Sequence, residues 1–113
     1  MQRDEEDPEK KPKLFYSKLP PKIASQYVVV CDPMLATGGS VKMCIDVLLK
    51  AGCKEEKIMF INVLACPEGI TALNAAYPAV KLVTAAVDEK LDENKYIVPG
   101  LGDFGDRYYR THE

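Results

Sequence analysis

The chain has 113 residues, enough for one small domain with a single modest core. Its 47% apolar and 28% charged residues strike an ordinary globular balance, and a net charge of -2 gives no electrostatic footprint for nucleic acid or a membrane surface. No apolar stretch approaches the ~20 residues that span a bilayer, and "MQRDEEDPEK" lacks the apolar segment of a secretory signal, so a cytoplasmic protein with no membrane partner is expected.

Residues 1–13 mix both charges with two prolines and read as a solvated arm. "LFYSKLPP", 14–21, holds β-prone aromatics before a Pro-Pro stop and is expected to form a short strand. Together residues 1–26 form an arm region ahead of a domain at 27–113. "YVVVC", 27–31, is a continuous apolar run of strand length, the pattern of a strand buried on both faces. From Ser40 to Ala51 the apolar residues Val41, Cys44, Ile45 and Leu48 make the stripe of an amphipathic helix, with Ser40 suited to cap its start and Gly52 to stop it. "IMFINVLA", 58–65, reads as a second buried strand, and "PEGITALNAAYP", 67–78, as a short helix with Ile70, Leu73 and Tyr77 on one face. "VKLVTAAV", 80–87, is the third strand, and "YIV", 96–98, a brief extended piece before a glycine-rich tail.

Alternation of strand and helix predicts an α/β fold, with a parallel sheet and right-handed crossovers in a βαβαβ core of three layers. Ligands of such sheets bind at the carboxyl ends of the strands. The loops there are "DPMLATGGS", "CPEG" and, after the extended piece, "PGLGDFGD", so the motif-like segments converge on one edge. The four cysteines, Cys31, Cys44, Cys53 and Cys66, include no C-x-x-C pair and read as buried free thiols. With the single histidine, His112, in the tail, no zinc pattern is present.

In "DPMLATGGS", Gly38 and Gly39 permit backbone angles closed to other residues, so amides from Thr37 to Ser40 can form an anion-binding nest at a helix N-terminus. The hydroxyls of Thr37 and Ser40 add donors, and Asp32 at the strand tip can accept from two neighbouring ribose hydroxyls. The alternative is a plain strand-to-helix turn with a serine cap. No G-x-x-x-x-G-K-[ST] is present, so this is not a Walker A loop. "GLGDFG", 100–105, matches the dinucleotide fingerprint but lacks the strand before and the helix-strand unit after it that the fingerprint needs. "DFG" likewise stands without the other kinase segments. What remains is a loop able to approach a flat ligand closely, or an ordered C-terminal turn.

Taken together, "DPMLATGGS", "CPEGI", "YIVPGLGDFGDRYY" and the upstream "RDEE…LFYSKLP" resemble the uracil phosphoribosyltransferases, in order along nearly the whole chain. Asp32 is followed by Pro33, as in the uracil enzymes, where other phosphoribosyltransferases usually place two acidic residues. The resemblance implies a partial type I phosphoribosyltransferase-like fold, roughly its C-terminal half. It implies transfer of a phosphoribosyl group from phosphoribosyl pyrophosphate (PRPP) to uracil, giving UMP and diphosphate with Mg2+ as cofactor. It assigns PRPP to Asp32, Pro33, Met34, Leu35, Ala36, Thr37, Gly38, Gly39, Ser40 and Asp103, and uracil to Ile97, Gly102, Asp103 and Phe104. Asp32 and Asp103 are the catalytic pair, with Asp103 reaching the metal only through its water shell.

The resemblance also implies a homo-oligomer, dimer or tetramer, with the "RDEE…KLP" arm in subunit contact, and in some members activation by GTP. Two departures stand out. Nothing in residues 1–26 matches the family's basic loop for diphosphate, and "RYYRTHE" replaces the usual aromatic-Gly-Thr ending. A second expectation therefore stands beside the enzyme, a catalytically impaired homologue that binds nucleotide or a fellow subunit. The chemistry itself needs no protein nucleophile, because displacement at an anomeric carbon passes through an oxocarbenium-like state that positioning and charge placement stabilise. Uracil's acceptor–donor–acceptor edge suits backbone groups in a glycine-rich loop.

Overall fold

A computed structural model describes residues 2–3, 12–14 and 16–111. Its centre is a parallel sheet. Strand β3 (Val28–Cys31) and the short β4 (Met34–Leu35) run end to end along one side of β5 (Ile58–Ala65), and β6 (Lys81–Val87) runs along the other. Val28 pairs with Ile58 and Leu35 with Ala65, so β3 and β4 keep one register on either side of Asp32 and Pro33. Helix α1 (Gly39–Lys50) connects β4 to β5, and α2 (Pro67–Ala76) connects β5 to β6.

Both crossovers step the same way across the sheet, so their right-handedness puts both helices on one face. There Val41, Ile45 and Leu48 of α1 and Leu73 of α2 close over Ile58 and Phe60 in a single core, joined by Tyr77 just past α2. Ile23, buried, and Leu19 pack on the same core from ahead of residue 27. The end of α1 is satisfied as its sequence predicts. Gly52, at φ 99°, donates to Leu49 O, and Cys53 N–H reaches back to Leu48 O at 3.1 Å, a Schellman closure with Cys53 and Leu48 both in the core.

The described residues cover the strands on one face only. Side chains alternate, and Val29, Cys31, Ile61, Val63 and Val83 all lie exposed on the face away from the helices. The expected third layer is therefore not built by the described residues. The thiols divide accordingly: Cys53 and Cys66 are buried, but Cys44 is half-buried and Cys31 sits on the bare face. Among the described residues of "LFYSKLPP" no strand forms. The pairing falls earlier, where β1 (Gln2–Arg3) meets β2 (Pro12–Lys13) antiparallel, while Phe15 and residues 4–11 lie outside the described residues. After β6, β7 (Lys90–Leu91) pairs antiparallel with β8 (Ile97–Val98), and the six-residue α3 (Phe104–Tyr109) follows. No described helix is long and apolar enough to cross a membrane.

Candidate active site

Asp32 stands where β3 leaves the core. Its N–H still donates to Ile61 O at 3.3 Å, while its Oδ1 accepts from Met34 N–H at 3.2 Å, turning the chain over Pro33. Pro33 O takes the N–H groups of both Val63 and Leu64, at 3.1 and 3.0 Å, and Leu35 O takes Cys66 N–H at 3.0 Å. The segment is thus stitched to β5 almost residue by residue, and its side chains are carried on a rigid support. Thr37 Oγ1 then accepts from Gly39 N–H at 3.3 Å.

The helix cap differs from the sequence expectation. Gly38, at φ 89°, is the capping residue of α1, and Ser40 lies one residue inside the helix. Only a residue comfortable at positive φ can make that bend, so the first of the paired glycines takes the role assigned to serine. Gly38 has no side chain to cap the helix, so beyond the Thr37 bond to Gly39 N–H its start is open, and Gly38 to Val41 line a small cleft of about 180 Å³ with Asp32 and Met34–Ala36. The positive end of the helix faces that space.

Helix α2 supports the loop from behind. A Cβ on Gly69 would lie 2.5 Å from Ala36 O and 2.9 Å from Leu35 Cγ, so the helix approaches the loop backbone as closely as a glycine allows. Cys66 Sγ adds a hydrogen bond to Ala36 O at 3.0 Å. Neither contact stands out from the sequence, although a glycine inside a helical pattern is itself a sign of close packing.

A second, larger cleft of about 310 Å³ opens on the other side of Asp32. Pro33, Met34 and Ala36 form one wall; Asn94–Ile97 and Gly102–Gly105 form the other. The tail is tied to the sheet edge by Asp88, whose N–H donates to Ala65 O at 2.8 Å and whose Oδ2 accepts from Gly100 N–H at 2.9 Å. Asp103 caps α3, its Oδ1 accepting from Asp106 N–H at 3.0 Å. Nothing stands within 4 Å of a Cβ built on Gly102, at φ 82°, so that backbone faces open space. Phe104 stacks on Tyr108 at 5.9 Å between ring centroids.

The two clefts share Asp32, Met34 and Ala36. Of the residues singled out from sequence, Asp32 to Ala36 and Gly38 to Ser40 line one cleft or both, and Ile97, Gly102, Asp103 and Phe104 line the larger. Thr37 contributes through its hydrogen bond to Gly39 N–H. Five lining residues fall outside the expected set: Val41 and Gly105 adjoin expected residues, and Asn94, Lys95 and Tyr96 arrive because the β7–β8 pairing folds their polar turn against the sheet edge. Cys44 offers no activated thiol, since burial and then the charge of Asp32 push its pKa up.

Comparison with known proteins decides the family. The family model described as uracil phosphoribosyltransferase matches residues 1–111. The chain belongs to the uracil phosphoribosyltransferase family. Family members similar to it include the Saccharomyces cerevisiae uracil phosphoribosyltransferase, 59% identical over 96% of the chain and 50% of that protein. The Dictyostelium discoideum uracil phosphoribosyltransferase is 54% identical over 100% of the chain and 51% of its own length, and that of Pediococcus pentosaceus 52% identical over 98% and 51%. The solved AQ2163 protein from Aquifex aeolicus superposes with a TM-score of 0.80 at 34% identity, covering 96% of the chain and 50% of that protein. The chain thus spans about half the length of the relatives it matches, as expected for one half of the family's phosphoribosyltransferase-like fold.

Proposed function

We propose that this chain carries the phosphoribosyl- and base-binding half of a uracil phosphoribosyltransferase, the enzyme that joins uracil to the sugar of PRPP and releases diphosphate in pyrimidine salvage. The observation that carries the reading is Asp32, which borders both clefts and so stands between a helix-start nest and a glycine-rich wall. A nucleoside monophosphate has the same three parts in the same order: phosphate, pentose, flat base.

In this reading the 5′-phosphate lies on the amides of Thr37 to Ser40, with the hydroxyls of Thr37 and Ser40 as further donors. Asp32 spends Oδ1 on Met34 N–H and offers its other oxygen to the ribose hydroxyls. Uracil enters the larger cleft, where the backbone of Ile97 and Gly102 meets its polar edge and Phe104 stands beside the ring. Asp103 borders the same space and, with Asp32, places negative charge near an anomeric carbon that turns cationic as its bond to diphosphate lengthens. The rigid ladder beneath Asp32 to Leu35 holds nucleophile and sugar in line.

Among the described residues no group of three or more His, Cys, Asp or Glu comes together as a metal cage. Magnesium suits this donor set nonetheless, because it keeps several waters and binds through one or two carboxylates and substrate phosphates. Asp103, through water, would hold it, and it would neutralise charge on the departing diphosphate. We extend the reading to a homo-oligomer, since the described residues leave the apolar sheet face of Val29, Ile61, Val63 and Val83 exposed.

Calorimetric titration with UMP tests the assignment. The chain binds UMP, and Asp32→Ala weakens binding about tenfold by removing a charge-assisted hydrogen bond. An unchanged dissociation constant for Asp32→Ala, with the fold intact by circular dichroism, would remove Asp32 from the site.

A further inference from the structure

Strand β5 changes face beside the site. Ile58 and Phe60 point into the helix-side core, and strict alternation would send Leu64 there too. Instead Ala65 joins that core, while Leu64 and Cys66 pack with Ile97. The neighbouring strands switch in step: Val28 and Val30 pack on the core, and then Leu35 does. The register is kept, with Cys31 paired to Ile61 and Met34 to Leu64, so both sides kink together at Asp32–Pro33 and Asn62–Val63. Pro33 O takes up the kink by accepting both Val63 and Leu64 N–H. Two successive N–H groups on one carbonyl make a bulge-like irregularity, and bulges re-aim side chains next to active sites.

Asn62 sits in this kink. It is 5% exposed, and its Nδ2 donates to Leu64 O at 2.8 Å, across the point where the strand changes face. That bond fixes the amide's orientation, because the flipped amide would set oxygen against oxygen. Oδ1 then has no partner among the described residues. A half-satisfied amide in line with Ile58 and Phe60 costs stability that an apolar side chain would not. Its satisfied half is the one that ties the kink. On β6, Thr84, the register partner of Asn62, bonds in the same way, its Oγ1 donating to Ala86 O at 3.1 Å.

We infer that Asn62 is a positioning residue for Asp32. It lines neither cleft and so acts through its neighbours. By holding Leu64 O, its amide sets the angle at which Val63 and Leu64 N–H meet Pro33 O, and with it the angle at which Asp32 leaves β3. The same bond turns Leu64 toward Ile97 on the wall of the larger cleft. The inference rests on the reading of Asp32 as the acceptor of the ribose hydroxyls and adds the side chain that aims it.

The test is a pair of variants of one shape. Asn62→Thr keeps a donor able to reach residue 64, as Thr84 reaches Ala86, and Asn62→Val lacks it. UMP and 2′-deoxy-UMP, which differ by one ribose hydroxyl, are titrated against the full chain by amide chemical shifts. The parent is expected to prefer UMP. The preference falls about fivefold in Asn62→Val, the worth of one hydrogen bond, and survives in Asn62→Thr. A merely structural residue would move the melting temperature and leave that preference alone. If Asn62→Val keeps the parent's preference, or Asn62→Thr loses it as Asn62→Val does, the inference falls and the site stands. If the parent binds both nucleotides equally, or UMP shifts neither Thr37–Ser40 nor Gly102–Phe104, the reading of Asp32 falls and the inference with it.

Discussion

Gly69→Ala separates local helix preference from the packing of the phosphate loop. On propensity alone the substitution stabilises a helix by about 1 kcal/mol. The structure predicts the opposite sign. The new Cβ would stand 2.5 Å from Ala36 O, 2.9 Å from Leu35 Cγ and 3.2 Å from Ala36 C. Two of those atoms are backbone that cannot rotate away, and reaching an ordinary C···O contact requires the loop or helix to retreat by roughly 0.8 Å. Overpacking of this kind costs about 1–3 kcal/mol, and the upper end applies because Cys66, just past β5, holds the loop by hydrogen bonds to Leu35 O and Ala36 O. Set against the propensity gain, the net loss is about 2 kcal/mol, or about 10 °C in Tm for a chain of this size. Thermal melts by circular dichroism measure it directly. UMP affinity falls as well, because the displaced residues lead straight into Gly38 and the start of α1. A Gly69→Ala protein that melts higher than its parent would refute the packing argument.

Three further outcomes are expected. Asp88→Ala removes the acceptor of Gly100 N–H and speeds amide exchange at Gly100 about fivefold, while unchanged exchange would mean that another group holds the base loop. Tyr77 donates to Lys42 O at 3.2 Å and to Asp46, and burial first, then Asp46, raise its pKa from 10.0 to about 12. A raised pKa favours the protonated phenol in the folded state, so its contribution is complete below pH 10 and disappears as pH climbs through about 12; Tyr77→Phe should flatten that alkaline loss in a melt series, and an unaltered profile would exclude Tyr77 as its source. The bare sheet face predicts self-association, so gel filtration should show species larger than 12.6 kDa that shift toward monomer in Val63→Lys, a change at a side chain 49% exposed in the single chain; a compact parent monomer at micromolar concentration would contradict it.

The elements of the fold were legible because their signals are local. The stripe Val41, Ile45, Leu48 needs only a 3.6-residue period, and "IMFINVLA" only its length and β-branched content. What an apolar run does not encode is which of its faces is covered. Val29 and Val30 look alike in sequence, yet Val30 packs on the core and Val29 does not. The cap was misassigned for a similar reason. Serine is the commoner capping residue, but the bend before α1 needs a positive φ, and Gly38 supplies it. Asp32, the loop after it and the glycine-rich tail were recognisable as motifs. Asn94 and Lys95 are not, because "DENK" is an unremarkable polar turn until the β7–β8 pairing carries it to the cleft. Gly69 stands inside the quoted "CPEGI", but its contact does not show there, because it is made with a loop thirty-odd residues earlier in the chain.

A crystal of the chain soaked with UMP offers the most direct test of the phosphoribosyl site. The expected density places the phosphate on the amides of Thr37 to Ser40, the ribose hydroxyls on Asp32 and the uracil ring against Gly102 and Phe104. Ordered UMP elsewhere on the chain, with both clefts beside Asp32 empty, would contradict the assignment.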